Sequence, residues 1–242
     1  MNHRPLLLAL ALLSLAARCG TAPTPPAAAP ATDAPAPDAP AAAAQVRYLA
    51  LGDSFTIGTG SSPDAAFPAR LAARWTSPRC VVALRNPAVN GFTTQDLLDV
   101  ELPVVRPFGP SLVTLAVGAN DLVRGRSLDQ YRSQLGRIFE ALAAAGVPGD
   151  RVVAIPQPDW ARSPAARSFG DPEALHATIV AFNEALRAET EARGGRYVDL
   201  FPLMMEQARA GRVAGDGLHP DAGAHDAWAE ALARQLPDPC AR

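Results

Sequence analysis

Four short segments carry the residues that could do chemistry, and the first is YLALGDSFTIGTG at residues 48–60. Ser54 directly follows an apolar run there, and a serine hydroxyl becomes a nucleophile when a neighbouring base takes its proton. The last segment, GDGLHP at residues 215–220, offers such a base in His219, with Asp216 three residues earlier. A hydroxyl, an imidazole and a carboxylate are the groups that acyl transfer requires.

The two middle segments could supply hydrogen-bond donors to an anionic oxygen. Gly91, within NPAVNGFTT at residues 86–94, can bring its backbone N–H close to a ligand because it has no side chain. Asn120, within AVGAND at residues 116–121, can offer the N–H₂ of its side-chain amide. Each segment alone also fits an ordinary turn or a helix cap, so the chemical interpretation depends on whether the segments meet.

Alternating strand and helix patterns indicate the elements that would position these residues. Five short apolar runs predict strands at residues 46–51, 81–84, 112–117, 152–155 and 197–200. Helical spacing of apolar residues marks 128–142 and 175–186, and a last amphipathic stretch covers 224–236. This alternation predicts one α/β domain, a three-layer α/β/α sandwich around a central five-stranded parallel sheet.

The predicted sheet gives the four segments a common location. Ligands of such sheets bind outside the carboxyl ends of the strands. Three of the segments follow a predicted strand, and the fourth precedes the last helix. We therefore expect Ser54 and His219 to meet at the carboxyl edge of the sheet.

Taken together, the four segments resemble the sequence blocks of the SGNH (GDSL-type) hydrolase family. GDS resembles the first block, Gly91 the second, GAND the third in the form GxND, and DGLH the last in the form DxxH. The resemblance covers the chain from Val46 to Leu236, and IPQPDW and LGDSFTIGTG resemble a bacterial lysophospholipase-like esterase branch. It implies a flavodoxin-like α/β/α fold.

The resemblance also implies an activity and a role for each residue. It implies a serine esterase that uses neither a metal nor a cofactor, with Ser54 as nucleophile, His219 as general base and Asp216 orienting the imidazole. The backbone N–H groups of Ser54 and Gly91, with the side chain of Asn120, would form the oxyanion hole. Family members cleave lipid esters, acyl thioesters and acetylated sugars, so the acyl chain and the alcohol of the substrate stay open.

Aromatic residues near these segments are candidate substrate-binding residues, namely Phe55, Phe92 and Trp160, although Trp160 could instead pack a loop. The net charge of -2 and the pI near 6.1 give no basic surface for nucleic acid. We expect a monomer that acts on a small-molecule ester. The alternative is a tethered cell-surface protein that binds lipids or glycans in the same pocket without turnover.

The first part of the chain has the pattern of an exported protein. Residues 1–20 combine a basic start with a short apolar core, which is typical of a signal peptide. SLAARC also resembles a lipoprotein signal with Cys19 as the lipidated residue, whereas simple cleavage would release the protein. Residues 21–45 predict a disordered Ala/Pro-rich linker, and 46–242 form the hydrolase domain. We expect an extracytoplasmic protein, either membrane-anchored or secreted.

Two cysteines remain within the predicted domain, and the topology brings them together. Cys80 opens the second predicted strand at the amino edge of the sheet. The last helix starts near His219 at the carboxyl edge and must run toward the amino edge, which carries Cys240 toward Cys80. We predict a Cys80–Cys240 disulfide, which export permits and which would add about 4 kcal/mol on a chain-entropy account.

Overall fold

The computed structural model describes residues 43–241 and contains one five-stranded sheet. Its strands are β1 (Ala44–Gly52), β2 (Cys80–Arg85), β3 (Leu112–Ala116), β4 (Val152–Ala154) and β5 (Arg196–Tyr197). All neighbours are parallel and the order is β2-β1-β3-β4-β5, which is the flavodoxin-like order. The fold class predicted from the sequence is confirmed.

Helices connect the strands within the described residues. The α-helices are α1 (Ser54–Ile57), α2 (Phe67–Trp75), α3 (Thr94–Asp96), α4 (Val105–Phe108), α5 (Ala119–Val123), α6 (Leu128–Ala144), α7 (Pro172–Ala192), α8 (Phe201–Arg209) and α9 (Ala222–Gln235). A π-helical turn spans Leu97–Glu101, and short 3₁₀ turns span Pro63–Ala65, Leu102–Val104, Gly149–Arg151, Trp160–Arg162 and Ala166–Ser168. Between residues 43 and 241, none of these helices has the length and apolarity to span a membrane.

Side-chain caps set where the long helices begin. Ser127 and Gln130 form a reciprocal capping box at the start of α6. Asp171 caps α7, whose first residue is a proline, and Asp221 caps α9 by accepting the N–H of Ala224 at 2.7 Å. The cap at Asp221 matters for the site because it fixes the start of α9 directly after the DGLHP segment.

Alternate residues of β1 divide between two apolar cores, which is why the sheet has a layer of helices on each face. Val46, Tyr48 and Ala50 pack into the core that contains residues of α2 and α9. Leu49 and Leu51 pack into the opposite core, against residues of α6 and α7. A strand covered on both faces must be apolar at nearly every position, and β1 is apolar from Tyr48 to Leu51, where both faces are buried.

The domain begins slightly before the predicted boundary. Ala44 and Gln45, assigned to the linker from their composition, form the first two residues of β1 because they pair with Cys80 and Val81. The composition of the sequence does not place these two residues in a strand, because alanine and glutamine do not favour strands. They become strand residues by pairing with β2. The predicted signal peptide at 1–20, the lipidation at Cys19 and the rest of the linker lie outside the described residues.

The two cysteines lie at the amino edge of the sheet. Cys80 and Cys240 form a disulfide with their Cα atoms 5.8 Å apart. Cys80 is buried, and Cys240 packs on the same core together with Leu236 and Trp75. The end of the chain is therefore tied to the first residue of β2, beyond the end of α9.

Candidate active site

Ser54 lies on a tight turn between β1 and α1. A β-carbon at Gly52 would come within 2.2 Å of Thr56 Oγ1 and 2.3 Å of the Ala116 carbonyl oxygen, so the turn has room only for glycine. Asp53 then caps α1 by accepting the N–H of Phe55 at 3.0 Å. Because Gly52 is the last residue of the strand, Ser54 stands at the carboxyl edge of the sheet, as predicted.

Asp216 holds His219 through two hydrogen bonds and accepts a third from Leu218 within the same turn. The Nδ1 atom of His219 lies 2.7 Å from Oδ2 of Asp216, and Oδ1 accepts the backbone N–H groups of Leu218 and His219 at 2.9 and 3.0 Å. Burial acts most strongly on this carboxyl and raises its pKa, but the hydrogen bonds outweigh it, so the pKa of Asp216 is lowered. An ionised Asp216 keeps the proton on Nδ1 and leaves Nε2 free to accept one.

Ser54 and His219 line one cavity of about 110 Å³. The cavity wall is mainly apolar, and its lining residues are Ser54, Phe55, Asn90, Ala119, Asn120, Val123, Trp160, Phe169, Leu218 and His219. The ring of Phe55 lies 5.3 Å from that of His219, centroid to centroid. No hydrogen bond joins Ser54 to His219 within residues 43–241, and such bonds often tighten only when substrate binds.

The three predicted oxyanion donors, which are the backbone N–H groups of Ser54 and Gly91 and the side-chain amide of Asn120, belong to the same edge of the sheet. Gly52 pairs with Ala116 across β1 and β3, which sets the turn of Ser54 beside the turn that leads to Asn120. Asn120 Nδ2 lies 3.0 Å from the carbonyl oxygen of Phe92 and 3.4 Å from Oδ2 of Asp53. The contact with Asp53 is longer than the usual N–H···O hydrogen bond. The N–H of Asn120 that faces Asp53 is therefore the one that can donate to an anionic oxygen.

The loop that carries Gly91 is fastened to α5. Gly91 has φ +84, and a β-carbon there would meet open space. Arg124 donates to the carbonyl oxygen of Gly91 at 2.9 Å. The buried Asp121 accepts both the backbone N–H and the hydroxyl of Thr94, at 2.9 and 2.6 Å. The backbone N–H groups of Ser54 and Gly91 have no acceptor among the described residues.

Two of the three predicted aromatic residues line the cavity. Phe55 and Trp160 are on its wall, and Trp160 also packs its loop, since Nε1 donates to Gln157 Oε1 at 2.8 Å. Phe92 is not on the wall and contributes its carbonyl oxygen to Asn120 instead. The sequence reading missed Phe169, whose ring meets that of Trp160 edge-on at 5.3 Å. Phe169 also lies in a loop that follows a strand, and the same criterion identified Phe55, Phe92 and Trp160, so it could have identified Phe169.

A pair of buried carboxyls behind Ser54 was not singled out from the sequence for a catalytic role. Asp53 and Glu101 are 1% and 0% exposed. Burial, with a contribution from the charge of Asp121, raises the pKa of Asp53 to about 7. Burial also raises the pKa of Glu101 to about 8, and the charge of Asp53 adds to that effect. Glu101 gave no sequence signal because a single acidic residue in a helical pattern usually faces solvent.

A second cleft lies at the opposite edge of the sheet. This larger cleft of about 520 Å³ lies at the amino edge, where its wall includes Ala44, Trp75 and Pro239, and it contains none of the residues that line the cavity of Ser54 and His219. Among residues 43–241 there is no group of three or more His, Cys, Asp or Glu side chains that could hold a metal ion.

The chain is similar to known hydrolases in sequence. The sequence profile described as the GDSL-like Lipase/Acylhydrolase family matches residues 50–227. A curated relative from Escherichia coli (strain K12), named Thioesterase 1/protease 1/lysophospholipase L1, is 30% identical over 198 residues. That alignment covers 81% of this chain and 85% of the relative.

Solved structures with much lower identity share the fold. The psychrotrophic esterase EstA from Pseudoalteromonas sp. superposes with a TM-score of 0.60 at 16% identity, covering 77% of this chain and 93% of its own. The acetylxylan esterase Axe2 from Geobacillus stearothermophilus gives a TM-score of 0.63 at 18% identity, covering 81% and 97%. At these identities the likeness shows a common architecture.

Proposed function

The chain belongs to the GDSL-like lipase/acylhydrolase family, and from that premise we propose that it is a serine esterase that forms an acyl-enzyme on Ser54. The observation that carries the proposal is the shared cavity: Ser54 and His219, distant in sequence, face it together, and His219 is bonded to Asp216. These contacts support the proposed roles of Ser54 as nucleophile, His219 as base and Asp216 as the orienting carboxylate.

The proposed cycle has two halves. The Oγ atom of Ser54 attacks the ester carbonyl carbon while Nε2 of His219 takes the hydroxyl proton, and Asp216 stabilises the resulting imidazolium. The N–H groups of Ser54 and Gly91 and the amide of Asn120 donate to the oxyanion. The intermediate collapses, and the leaving alcohol takes the proton from His219. A water that gives a proton to His219 then attacks the acyl carbon, the bond to Ser54 Oγ breaks, His219 returns the proton to Oγ, and the carboxylic acid leaves.

The cavity supports a short acyl group as the part of the substrate that enters it. Its volume of about 110 Å³ is well below the roughly 300–1,000 Å³ of typical ligand pockets. Small acyl esters, lysophospholipids and acetylated sugars are the proposed substrate classes. A series of p-nitrophenyl esters from acetate to palmitate separates them, because a sharp preference for acetate supports deacetylation, whereas a preference for longer chains supports lipid substrates.

We also propose that the protein works outside the cytoplasm. Support comes from the signal pattern at residues 1–20 and from the Cys80–Cys240 disulfide, because such bonds persist in oxidising compartments. Whether the protein is released or anchored through Cys19 is decided by the mass of the mature N-terminus. A diacylglyceryl-modified cysteine supports the anchor, and an unmodified mature end supports secretion.

A fluorophosphonate probe tests the serine mechanism. We expect stoichiometric labelling of the folded protein at Ser54, and loss of both labelling and esterase activity in Ser54→Ala. Ser62→Ala is the matched control, because Ser62 is an exposed serine on the following loop and should keep both. Folded protein that resists the probe would instead support the binding protein that does not turn substrate over.

A further inference from the structure

Glu101 is a fully buried acid that the proposed cycle does not use. It ends the π-helical turn Leu97–Glu101 and is 0% exposed. Its Oε2 accepts the backbone N–H of Gly52 at 3.0 Å, while Oε1 has no hydrogen-bond partner among the described residues. An orphaned oxygen at such depth is costly for a carboxylate and much less so for a neutral acid.

The contact with Gly52 places Glu101 directly behind the nucleophile. Gly52 is the last residue of β1, and Asp53 and Ser54 follow it. Glu101 therefore holds the turn on its strand side, while Asp53 holds it on its helix side through the N–H of Phe55. A shift of Gly52 would move Ser54 relative to His219.

The charges around Glu101 favour its neutral form. Asp53 is the charged group that acts on it, and the repulsion adds to the effect of burial. No cationic side chain pairs with Glu101 within residues 43–241. Titratable groups of β1 and of the neighbouring helical elements are engaged elsewhere: Arg47 with Gly109, Tyr48 with Thr114, Asp96 with Thr93 and Arg124, Asp99 with Gln95, Arg106 with Ala144, and Tyr131 with Val117.

We propose that Glu101 is a positioning residue that works as a neutral carboxylic acid: it holds the turn of Ser54 through Gly52, and its ionisation lowers activity at alkaline pH. This rests on the proposed esterase function. A neutral acid still accepts the Gly52 N–H through its carbonyl oxygen. A carboxylate would add a negative charge behind the donors of Ser54 and Asn120, where the oxyanion must form, and would oppose it.

The pH profile of kcat/KM for a p-nitrophenyl ester tests the proposal. The wild type should lose activity above about pH 8, the pKa of Glu101. Glu101→Gln keeps an acceptor for Gly52 and cannot ionise, so it should keep most of the neutral activity and lose the alkaline fall. Glu101→Ala should lower kcat about tenfold to a hundredfold with KM little changed, because the turn shifts.

Two results would overturn this assignment. One is a Glu101→Gln profile with the alkaline fall of the wild type, and the other is a Gln variant that loses as much kcat as the Ala variant. Glu140→Gln is the matched control, since Glu140 is an exposed glutamate on α6 and its change should leave the profile unaltered.

An infrared measurement that needs no turnover separates this proposal from the esterase proposal. In a Ser54→Ala background at pH 7, the carbonyl band of a protonated carboxylic acid should weaken when Glu101→Gln is added. If the wild type hydrolyses no ester but the band behaves this way, the esterase proposal fails while the neutral Glu101 stands. A band that Glu101→Gln leaves unaltered contradicts the neutral acid whatever the activity.

Discussion

The two oxygens of Asp216 do different work at the level of single residues. Oδ1 accepts two backbone N–H groups and shapes the turn, whereas Oδ2 accepts the Nδ1 proton of His219. The hydrogen bonds that lower the pKa of Asp216 keep it ionised down to acidic pH, so the orientation of His219 does not depend on pH in the neutral range. The two roles can be separated by one substitution.

Asp216→Asn should remove the second role and keep the first. The amide oxygen can still accept the backbone N–H groups, but its N–H₂ cannot accept from Nδ1, so the imidazole is held in the wrong tautomer. In the Ser-His-Asp triad of a protease with an unrelated fold the same change costs about 10⁴ in kcat, and we expect a loss of that order in ester hydrolysis with little change in melting temperature. Asp129→Asn, a solvent-exposed carboxyl in the first turn of α6, is the control; equal kcat in both variants would contradict the role of Asp216.

At the level of elements, the loop of Gly91 and the helix α5 act as one unit. Arg124 donates to the carbonyl oxygen of Gly91, and Asp121 accepts the N–H of Thr94. Asn120 donates to the carbonyl oxygen of Phe92. The proposed oxyanion donors of the loop and the helix therefore move together. Substitutions in this unit should change activity and stability in separable ways.

Gly91→Ala tests the position of the backbone donor. A β-carbon at Gly91 meets nothing within 4 Å, so the cost is the backbone strain at φ +84, about 1–2 kcal/mol. Relief of that strain should turn the N–H away and lower kcat about 10²-fold, measured by ester hydrolysis. Gly146→Ala is a close match, with φ +89 and an equally open β-carbon site far from the cavity. If both variants lose equal stability and equal activity, the donor role of Gly91 is wrong.

Asp121→Ala tests the fastening of the loop. It leaves the buried N–H and hydroxyl of Thr94 without their acceptor, which should cost about 1–3 kcal/mol per group in the free energy of unfolding. Urea unfolding measures this loss, and kcat should fall as the loop loosens. Asp129→Ala, a solvent-exposed acid in the first turn of α6, should cost far less. A comparable loss in the two variants would mean that the contact with Thr94 contributes nothing special.

For the whole molecule, buried acids make stability depend on pH in a definite direction. The pKa of Glu101 rises from an ordinary value of 4.5 to about 8 on folding. Between these values the folded state keeps a proton that the unfolded chain has lost, so this group makes the free energy of unfolding fall as pH rises. Asp53 acts with the same sign, whereas the buried His225, whose pKa burial lowers to about 4, acts with the opposite sign.

Comparing Glu101→Gln with the wild type isolates the first contribution. Relative to the wild type, the variant should become progressively more stable from about pH 4.5 to pH 8, the window set by the two pKa values. Urea unfolding at a series of pH values measures the difference, with Glu140→Gln as the control. Parallel stability curves would show that Glu101 takes up no extra proton on folding.

The disulfide should contribute to global stability without entering the site. Cys80 and Cys240 are 160 residues apart, so the bond restricts the unfolded chain strongly. Cys80→Ser/Cys240→Ser should lower the free energy of unfolding by about 4 kcal/mol, while kcat of the folded variant stays close to that of the wild type. Thiol titration of the denatured protein checks the bond itself, because two free thiols without reductant would contradict it.

The sequence predicts β1 to β4 well because each is a run of β-branched and apolar residues between turns, whereas β5 is only Arg196–Tyr197 and the predicted strand at 197–200 is wrong beyond Tyr197. The apolar run of β1 and the helical spacing of α6 and α7 leave little choice of element. Tertiary contacts decide the rest. Glu101 becomes a buried contact of Gly52 only through the packing of a π-helical turn, and Phe92 contributes its backbone carbonyl to Asn120 instead of its ring to the cavity wall. Spacing along the chain carries no signal for either.

The disulfide and the start of β1 also determine where the domain can be attached to a support or fused to another protein. Ala44 pairs with Cys80, and Cys80 is bonded to Cys240, so both ends of the domain lie at the rim opposite the cavity. A bead, an electrode or a fused partner joined at either end would leave the mouth of the cavity facing the surrounding solution. Immobilisation through Ala44 or Cys240 should therefore preserve access to the cavity.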